Sequence, residues 1–193
     1  MPDAPGLELI LAEINRTHPG AVLDTGFDRE QPALIVDPAR IIDVLTWLKE
    51  TPGQQYGFLA SVHGVDYLPA QPRFAVHYEL INRDRYERLR VKALLEDPAV
   101  AGEPPIGAGD SDGMPASELL PHIDSCVSLF PTAEFQEREV YDFFGIVFDG
   151  HPDMRRILMP DDYVGWPQRR DFPVGGEPVI FTRDEADSPG WWR

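Results

Sequence analysis

Phe74–Leu95 reads FAVHYELINRDRYERLRVKALL, and its alternation decides the fold class. Phe74, Val76, Tyr78 and Leu80 fall on one side of an extended chain, with Ala75, His77, Glu79 and Ile81 on the other. Asn82-Arg83-Asp84 supplies a turn. The returning run sends Arg88, Arg90 and Lys92 outward and Leu89, Val91 and Ala93 inward. The stretch therefore predicts a hairpin in a sheet with one covered face.

Toward the N-terminus, Leu7, Ile10, Leu11 and Ile14 recur at helical spacing, and His18-Pro19-Gly20 closes a first helix over 7–17. Val22–Phe27 and Ala33–Val36 are short strand candidates. Asp37-Pro38 offers a cap and an initiating proline for a second helix over 38–50, burying Ile41, Ile42, Leu45 and Leu48. Gly57–Tyr67 turns β-like again. Further on, a third helix runs from Thr132 to Phe144, stopped by Gly145, and Ile146–Phe148 follows as a strand. The sum is an α+β fold, a mostly antiparallel sheet packed with about three helices.

The chain divides by composition into a sandwich region over 1–95, a loop over 96–124, a helix and strand over 125–159 belonging to the same domain, and an arm over 160–193. The loop holds seven acidic residues, five prolines, four glycines and no Lys or Arg. Such a segment buries too little apolar surface to offset its ordering entropy, with at most one short helix near Ser117–Leu120. The arm strings Pro167, Pro173, Pro178 and Pro189 among Tyr163, Trp166, Phe172, Phe181, Trp191 and Trp192. Proline and glycine forbid it a core of its own, while the aromatics are costly to leave in water. It is expected to lie extended on another surface, its own domain's or a partner's.

At 193 residues, 42% hydrophobic, 26% charged and net charge −16, the chain has the composition of a globular protein. No apolar run approaches the ~18 residues of a bilayer span. Repulsion of phosphates argues against nucleic acid and direct lipid contact. MPDAPGLELI lacks the features of a secretory signal, which places the chain on the cytoplasmic side. The single cysteine, Cys126, excludes an internal disulfide and falls short of a cluster or structural zinc site. His18, His63, His77, His122 and His151 show no ligand spacing, no phosphate-binding glycine loop follows a strand, and no nucleophile motif is present.

The densest chemistry lies at Glu137–Arg156, EREVYDFFGIVFDGHPDMRR. On the third helix Arg138, Glu139 and Asp142 share a face with Phe135, opposite Ala133, Val140 and Phe144. Glu134, Arg138 and Asp142 form a ladder at i, i+4, i+8; on a solvated surface each pair contributes only about 0.3–0.5 kcal/mol. Glu137 and Glu139, two apart on a helix, point in different directions and are unsuited to joint acid–base work. The arginine pairs Arg155-Arg156 and Arg169-Arg170 are expected to anchor carboxylates of that helix or of a partner.

The string Glu137-Arg138-Glu139, two residues, Asp142, two aromatics, six residues, His151, three residues, Arg155, followed by ILMP, DDYVGWP and QRRDFP, resembles the 30-kDa (C-type) subunit family of proton-pumping NADH:quinone oxidoreductase, respiratory complex I. The match is specific over about 127–173; the acidic 96–124 insertion departs from a shorter typical connection. The resemblance implies a non-catalytic peripheral-arm subunit without a cofactor of its own. Such a subunit packs on the 49-kDa (D-type) subunit near the cluster-bearing B-type subunit, with FMN, iron–sulfur clusters and quinone held by partner chains. It would sit on the cytoplasmic face of the bacterial inner membrane, attached only through partners. Glu137, Arg138, Glu139, Asp142, His151, Arg155 and Arg156 would form the ionic junction between subunits, and Arg169, Arg170, Asp171, Phe172 and Pro173 would clamp a partner. Related subunits of membrane-bound nickel–iron hydrogenases and other complex I-like oxidoreductases are the nearest alternative, and an acidic adaptor is the alternative of another class.

Overall fold

The computed structural model describes residues 2–98, 119–161 and 163–172. Three α-helices and a five-stranded sheet dominate it, matching the α+β expectation. Helix α1 spans Ala4–Thr17, three residues earlier than hydrophobic spacing suggests. The reason is a cap: Asp3 Oδ1 accepts the Gly6 amide at 2.8 Å, and Pro5 sits where no amide partner is needed. Leu7, Ile10 and Ile14 are its buried stripe. Asn15 then pairs with the Val22 backbone in both directions, at 2.7 and 2.9 Å, fixing the entry into the sheet.

Strands β1 (Val22–Asp28) and β2 (Gln31–Val36) form a hairpin, and helix α2 (Ile41–Glu50) follows a 3-10 turn over Pro38–Arg40. The expected single helix over 38–50 thus begins as a tighter turn, with the Ala39 amide on Asp37 Oδ1. Strands β3 (Phe58–Asp66), β4 (Phe74–Asn82) and β5 (Glu87–Leu95) complete the sheet in the order β1-β2-β5-β4-β3. Every pairing in this sheet is antiparallel except β2 with β5. That parallel pair requires the crossover through α2, β3 and β4.

Val76, Tyr78, Leu80, Leu89, Val91 and Ala93 are fully buried, as the alternation requires, in one core with Leu34, Val36 and the apolar stripes of α1 and α2. Burying these side chains supplies the main driving force. The register places Arg88, Arg90 and Lys92 on the opposite face.

Strand β6 (His122–Asp124) falls inside the segment expected to be loop; it pairs in parallel with β7 (Val147–Asp149). Only Ile123 is apolar in it, so nothing local marks it as a strand; the partner makes it one. Residues 99–118, most of the expected loop with half of its short helix, lie outside the described residues.

Helix α3 (Ala133–Phe144) lies along β3, the edge of the large sheet. Gln136 Oε1 accepts the Val62 amide and the Thr132 hydroxyl reaches the Leu59 carbonyl at 3.4 Å, so side chains of the helix occupy backbone groups of an exposed edge. The aromatic ring of Phe144 fills the space where Gly64 has no side chain; a Cβ there would lie 2.6 Å from Phe144 Cδ2.

Candidate functional site

An α-helix leaves its last four carbonyls without partners inside the helix, and burying them unpaired is costly. The end of α3 solves this with its own signature residues. The Tyr141 carbonyl accepts the Gly145 amide at 2.8 Å, with Gly145 left-handed at φ 68°. The Asp142 carbonyl accepts Arg156 Nη1 at 3.1 Å, the Phe143 carbonyl accepts the Gln168 amide at 3.1 Å, and the Phe144 carbonyl accepts Arg169 Nε at 2.7 Å. Two guanidinium groups therefore stand where the helix dipole is negative. Trp166, 1% exposed, closes the joint by packing on Gly145 and meeting Tyr141 edge-on at 5.1 Å.

Asp142 organises the turn that follows. Its Oδ1 accepts Arg156 Nη1 at 2.7 Å, and its Oδ2 accepts the amides of Ile157, Leu158 and Met159 at 3.2, 2.7 and 2.8 Å. Burial alone would push this carboxyl up, but these donors outweigh it and hold the pKa below the usual range. Arg156 continues to the Tyr163 and Gly165 carbonyls at 2.9 and 2.8 Å and lies 4.7 Å from the Trp166 ring. Arg138 donates to the Arg155 and Arg156 carbonyls at 3.1 and 2.8 Å. Arg138, Asp142 and Arg156 are all buried within this chain. The solvated ladder of Glu134, Arg138 and Asp142 is thus not formed: Arg138 and Asp142 turn to the 155–159 turn instead.

Glu137, fully buried, faces the other way. Its Oε1 accepts the Cys126 amide at 2.8 Å and its Oε2 the Ser125 hydroxyl at 2.6 Å. Burial pushes its pKa up, and these bonds recover only part of the shift. His151 donates from Nε2 to the Glu134 carbonyl at 2.9 Å while Nδ1 accepts the Asp153 amide at 3.0 Å, so its ring fastens the turn to α3 within this chain. Glu139 is exposed on α3, and Arg155 is exposed with a surface contact to Asp153 at 2.8 Å.

A second joint was not visible in the sequence. Arg73 and Asp66 form a two-pronged pair at 3.1 and 2.9 Å, with Arg73 also reaching Asp97 and Asp171 at 2.7 Å each. Asp66 Oδ2 accepts the Arg170 amide at 2.9 Å, so the opening of the arm is tied to the β3–β4 connection. Asp66 is held below the usual carboxylate range: burial acts upward, and the Arg73 side chain with the Arg170 and Leu68 amides overcomes it. Arg169 stacks 4.8 Å from Phe74, and burial pulls its guanidinium down to about 10. Through Phe172 the arm therefore packs on this chain; Pro173 and the later aromatics lie outside the described residues.

Each arginine pair is split in the same manner. Arg156 and Arg169 go inward to the end of α3, and Arg155 and Arg170 stay exposed. The signal available in the sequence was a helix stop followed within about 25 residues by two arginine pairs, because helix-end carbonyls need donors. Among the described residues no three His, Cys, Asp or Glu side chains are grouped to hold a metal, and no helix is long and apolar enough to cross a membrane.

Fold and site together define an α+β protein in which Arg138, Asp142, Arg156 and Arg169 are committed to internal joints. Its sequence matches the family model for the respiratory-chain NADH dehydrogenase 30-kDa subunit over residues 34–104 and 113–178, and the chain belongs to that family. Curated relatives named as the C subunit of NADH-quinone oxidoreductase include one from Roseiflexus castenholzii, 38% identical over 90% of this chain and 87% of its own. Another, from Saccharopolyspora erythraea, is 39% identical over 96% of this chain but only 66% of its own length. Against that relative the chain spans just under two thirds. Among solved structures, a chain of an archaeal membrane-bound sulfane sulfur reductase, a respiratory membrane complex, superposes with a TM-score of 0.62 at 23% identity, covering 92% of this chain and 94% of that one. The fold is the same.

Proposed function

We propose that this chain is a non-catalytic peripheral-arm subunit of a proton-pumping NADH:quinone oxidoreductase, bracing the 49-kDa-type subunit of the quinone site, next to the cluster-bearing B-type subunit, on the cytoplasmic face of the membrane. FMN, iron–sulfur clusters and quinone belong to partner chains in this reading. The observation that carries it is the division of labour in the signature: Arg138, Asp142, Arg156 and Arg169 rigidify the platform from within, while Glu139, Arg155 and Arg170 remain at its surface. Phe135 and Leu158, 60% and 59% exposed, and Val164 are apolar side chains left uncovered on α3 and the segment after it. A platform with fixed charges and uncovered apolar groups has the character of a docking face.

The test is purification of the native assembly through a tag on this chain, with identification of co-purifying subunits and NADH:quinone activity. NADH-oxidising and cluster-bearing chains are the expected result. Nickel-binding chains in their place transfer the reading to the hydrogenase-type relatives, and purification of the chain alone, without any partner, overturns it.

A further inference from the structure

Helices α1 and α2 cover one face of the large sheet, which leaves the other face to be explained. Along β5 the register puts Arg88, Arg90 and Lys92 on that face, at every second residue. Arg90 is paired with Glu79 of the neighbouring strand. Arg88 and Lys92 have no carboxylate within ion-pair distance among the described residues, although Lys92 lies 4.7 Å from the Tyr67 ring. Asp24 and Asp28 stand on the same face of β1, two strands away, which is about 10 Å at ordinary strand spacing and close to the screening length of physiological salt. Nearer to hand, Glu79 is taken by Arg90 and Glu30 shares a groove with Arg29, so cations still outnumber carboxylates along the ridge. That groove, of about 710 Å³, opens at the Arg88 end of the ridge, its charged lining made of Arg29, Arg88 and Arg90 with Glu30 and Glu79, and Tyr86, which is 89% exposed, at its rim.

A cationic ridge on a chain of net charge −16 is the opposite of the molecule's overall field. That overall charge resists association of a second copy and leaves the ridge suited to acid from elsewhere. Arg88 and Lys92, four residues apart on a strand, stand ~13 Å apart, which is also the distance between side chains four residues apart on an extended segment.

We propose that this sheet face is a second docking surface, occupied by an extended acidic segment of another subunit, with carboxylates four residues apart on Arg88 and Lys92 and one apolar or aromatic side chain in the groove beside Tyr86. The inference rests on the reading of the chain as part of a multi-subunit assembly. Its occupant and chemistry differ from those of the signature surface.

The experiment places a photo-crosslinking phenylalanine analogue at position 86 of the full chain, irradiates the purified native assembly, and maps the linked peptides by mass spectrometry. Expected is a link to one other chain, at a segment with Asp or Glu four residues apart, falling about fivefold in Arg88→Glu/Lys92→Glu and on raising salt from about 0.1 to 0.5 M. The milder Arg88→Gln/Lys92→Gln serves the same purpose where the double reversal lowers folding. Links confined to this chain, including its acidic residues Glu103 to Glu118, links to a second copy, links to a segment without acid, or no link at all overturn the proposal. Co-purification in the same preparation separates this failure from failure of the proposed function: partners present with a silent probe defeat only the docking surface.

Discussion

Asp142 and Arg156, fourteen residues apart, close a joint in which one carboxylate and one guanidinium together terminate a helix, cap a turn and anchor the start of the arm. Asp142 is fully buried and Arg156 nearly so, with a contact of 2.7 Å between them. The pair is therefore a structural hinge pin whose loss should be read first in stability.

Replacing Arg156 by Met leaves the Asp142 carboxylate buried with only the three turn amides as donors, and frees the carbonyls of Asp142, Tyr163 and Gly165. Breaking a buried pair by removing one partner costs about 3–5 kcal/mol. Arg156→Met should show a loss of that order in denaturant unfolding of the chain, and Asp142→Asn combined with it should cost markedly less than the sum of the single changes. Additive losses would mean that the two groups do not act as one unit.

Gly145→Ala tests the closing of the joint by Trp166. Two penalties coincide there: a left-handed backbone at φ 68°, and a Cβ that would lie 2.5 Å from Trp166 Cε2. Together they should lower stability by about 2–4 kcal/mol. Gly150→Ala is the control, since Gly150 has φ 79° but open space around it. It should show the backbone part alone, about 1 kcal/mol. Equal losses in the two variants would remove the packing argument.

The strands and helices were legible because alternation and helical spacing are written within ten residues, as in Phe74–Asn82 and in Leu7, Ile10 and Ile14. Strand β6 was not, because three residues carry no period and its partner lies beyond α3. The signature was legible as a cluster of charge and as a family resemblance, but not in its geometry. A helix wheel puts Arg138 and Asp142 on a polar face; only the turn at 155–159 folding over that face turns it into an interior. Arg73 and Asp66 escaped notice for the same reason, since their third and fourth partners, Asp97 and Asp171, come from distant segments.

Cys126 is the single cysteine and is fully buried; that burial, with Glu137 beside it, pushes its thiol far above the usual range. The thiolate is the reactive form, so alkylation of the folded chain has to wait for opening. Labelling with a thiol reagent near pH 8 should be slower than in denaturant by more than about a thousandfold. Gly145→Ala should accelerate it in step with its lost stability. Rapid labelling of the native chain would show that the Ser125–Cys126 turn opens on its own.

Charge reversal separates the platform from its surface. Glu139→Lys and Arg155→Glu touch residues with exposed side chains, so unfolding of the chain should be unchanged while recovery of assembled complex falls by about threefold or more. Arg138→Ala should lower both, because its guanidinium holds the Arg155 and Arg156 carbonyls. In each case turnover per assembled complex should change less than the amount assembled. Full assembly with lost turnover would instead assign the signature a direct part near the quinone.

Glu137 and the two aspartates give the chain opposing pH dependences, and the signs can be separated by mutation. Asp66 and Asp142 have lowered pKa values in the folded state, so their contribution is present above the ordinary carboxylate range and is lost as pH falls through their folded values. Glu137 is raised, so the folded chain binds its proton more tightly than the unfolded chain does; stability falls as pH rises from about 4.5 through its folded value. Glu137→Gln keeps the size of the side chain, can accept the Cys126 amide through its oxygen and can donate to the Ser125 hydroxyl oxygen, and carries no charge to desolvate. Its unfolding free energy should equal or exceed that of the parent at pH 8, with the fall on the alkaline side of pH 4.5 flattened and the acid loss below pH 4 intact. A Gln variant that is less stable than the parent at pH 8 would show that the ionised carboxylate is the form the fold requires.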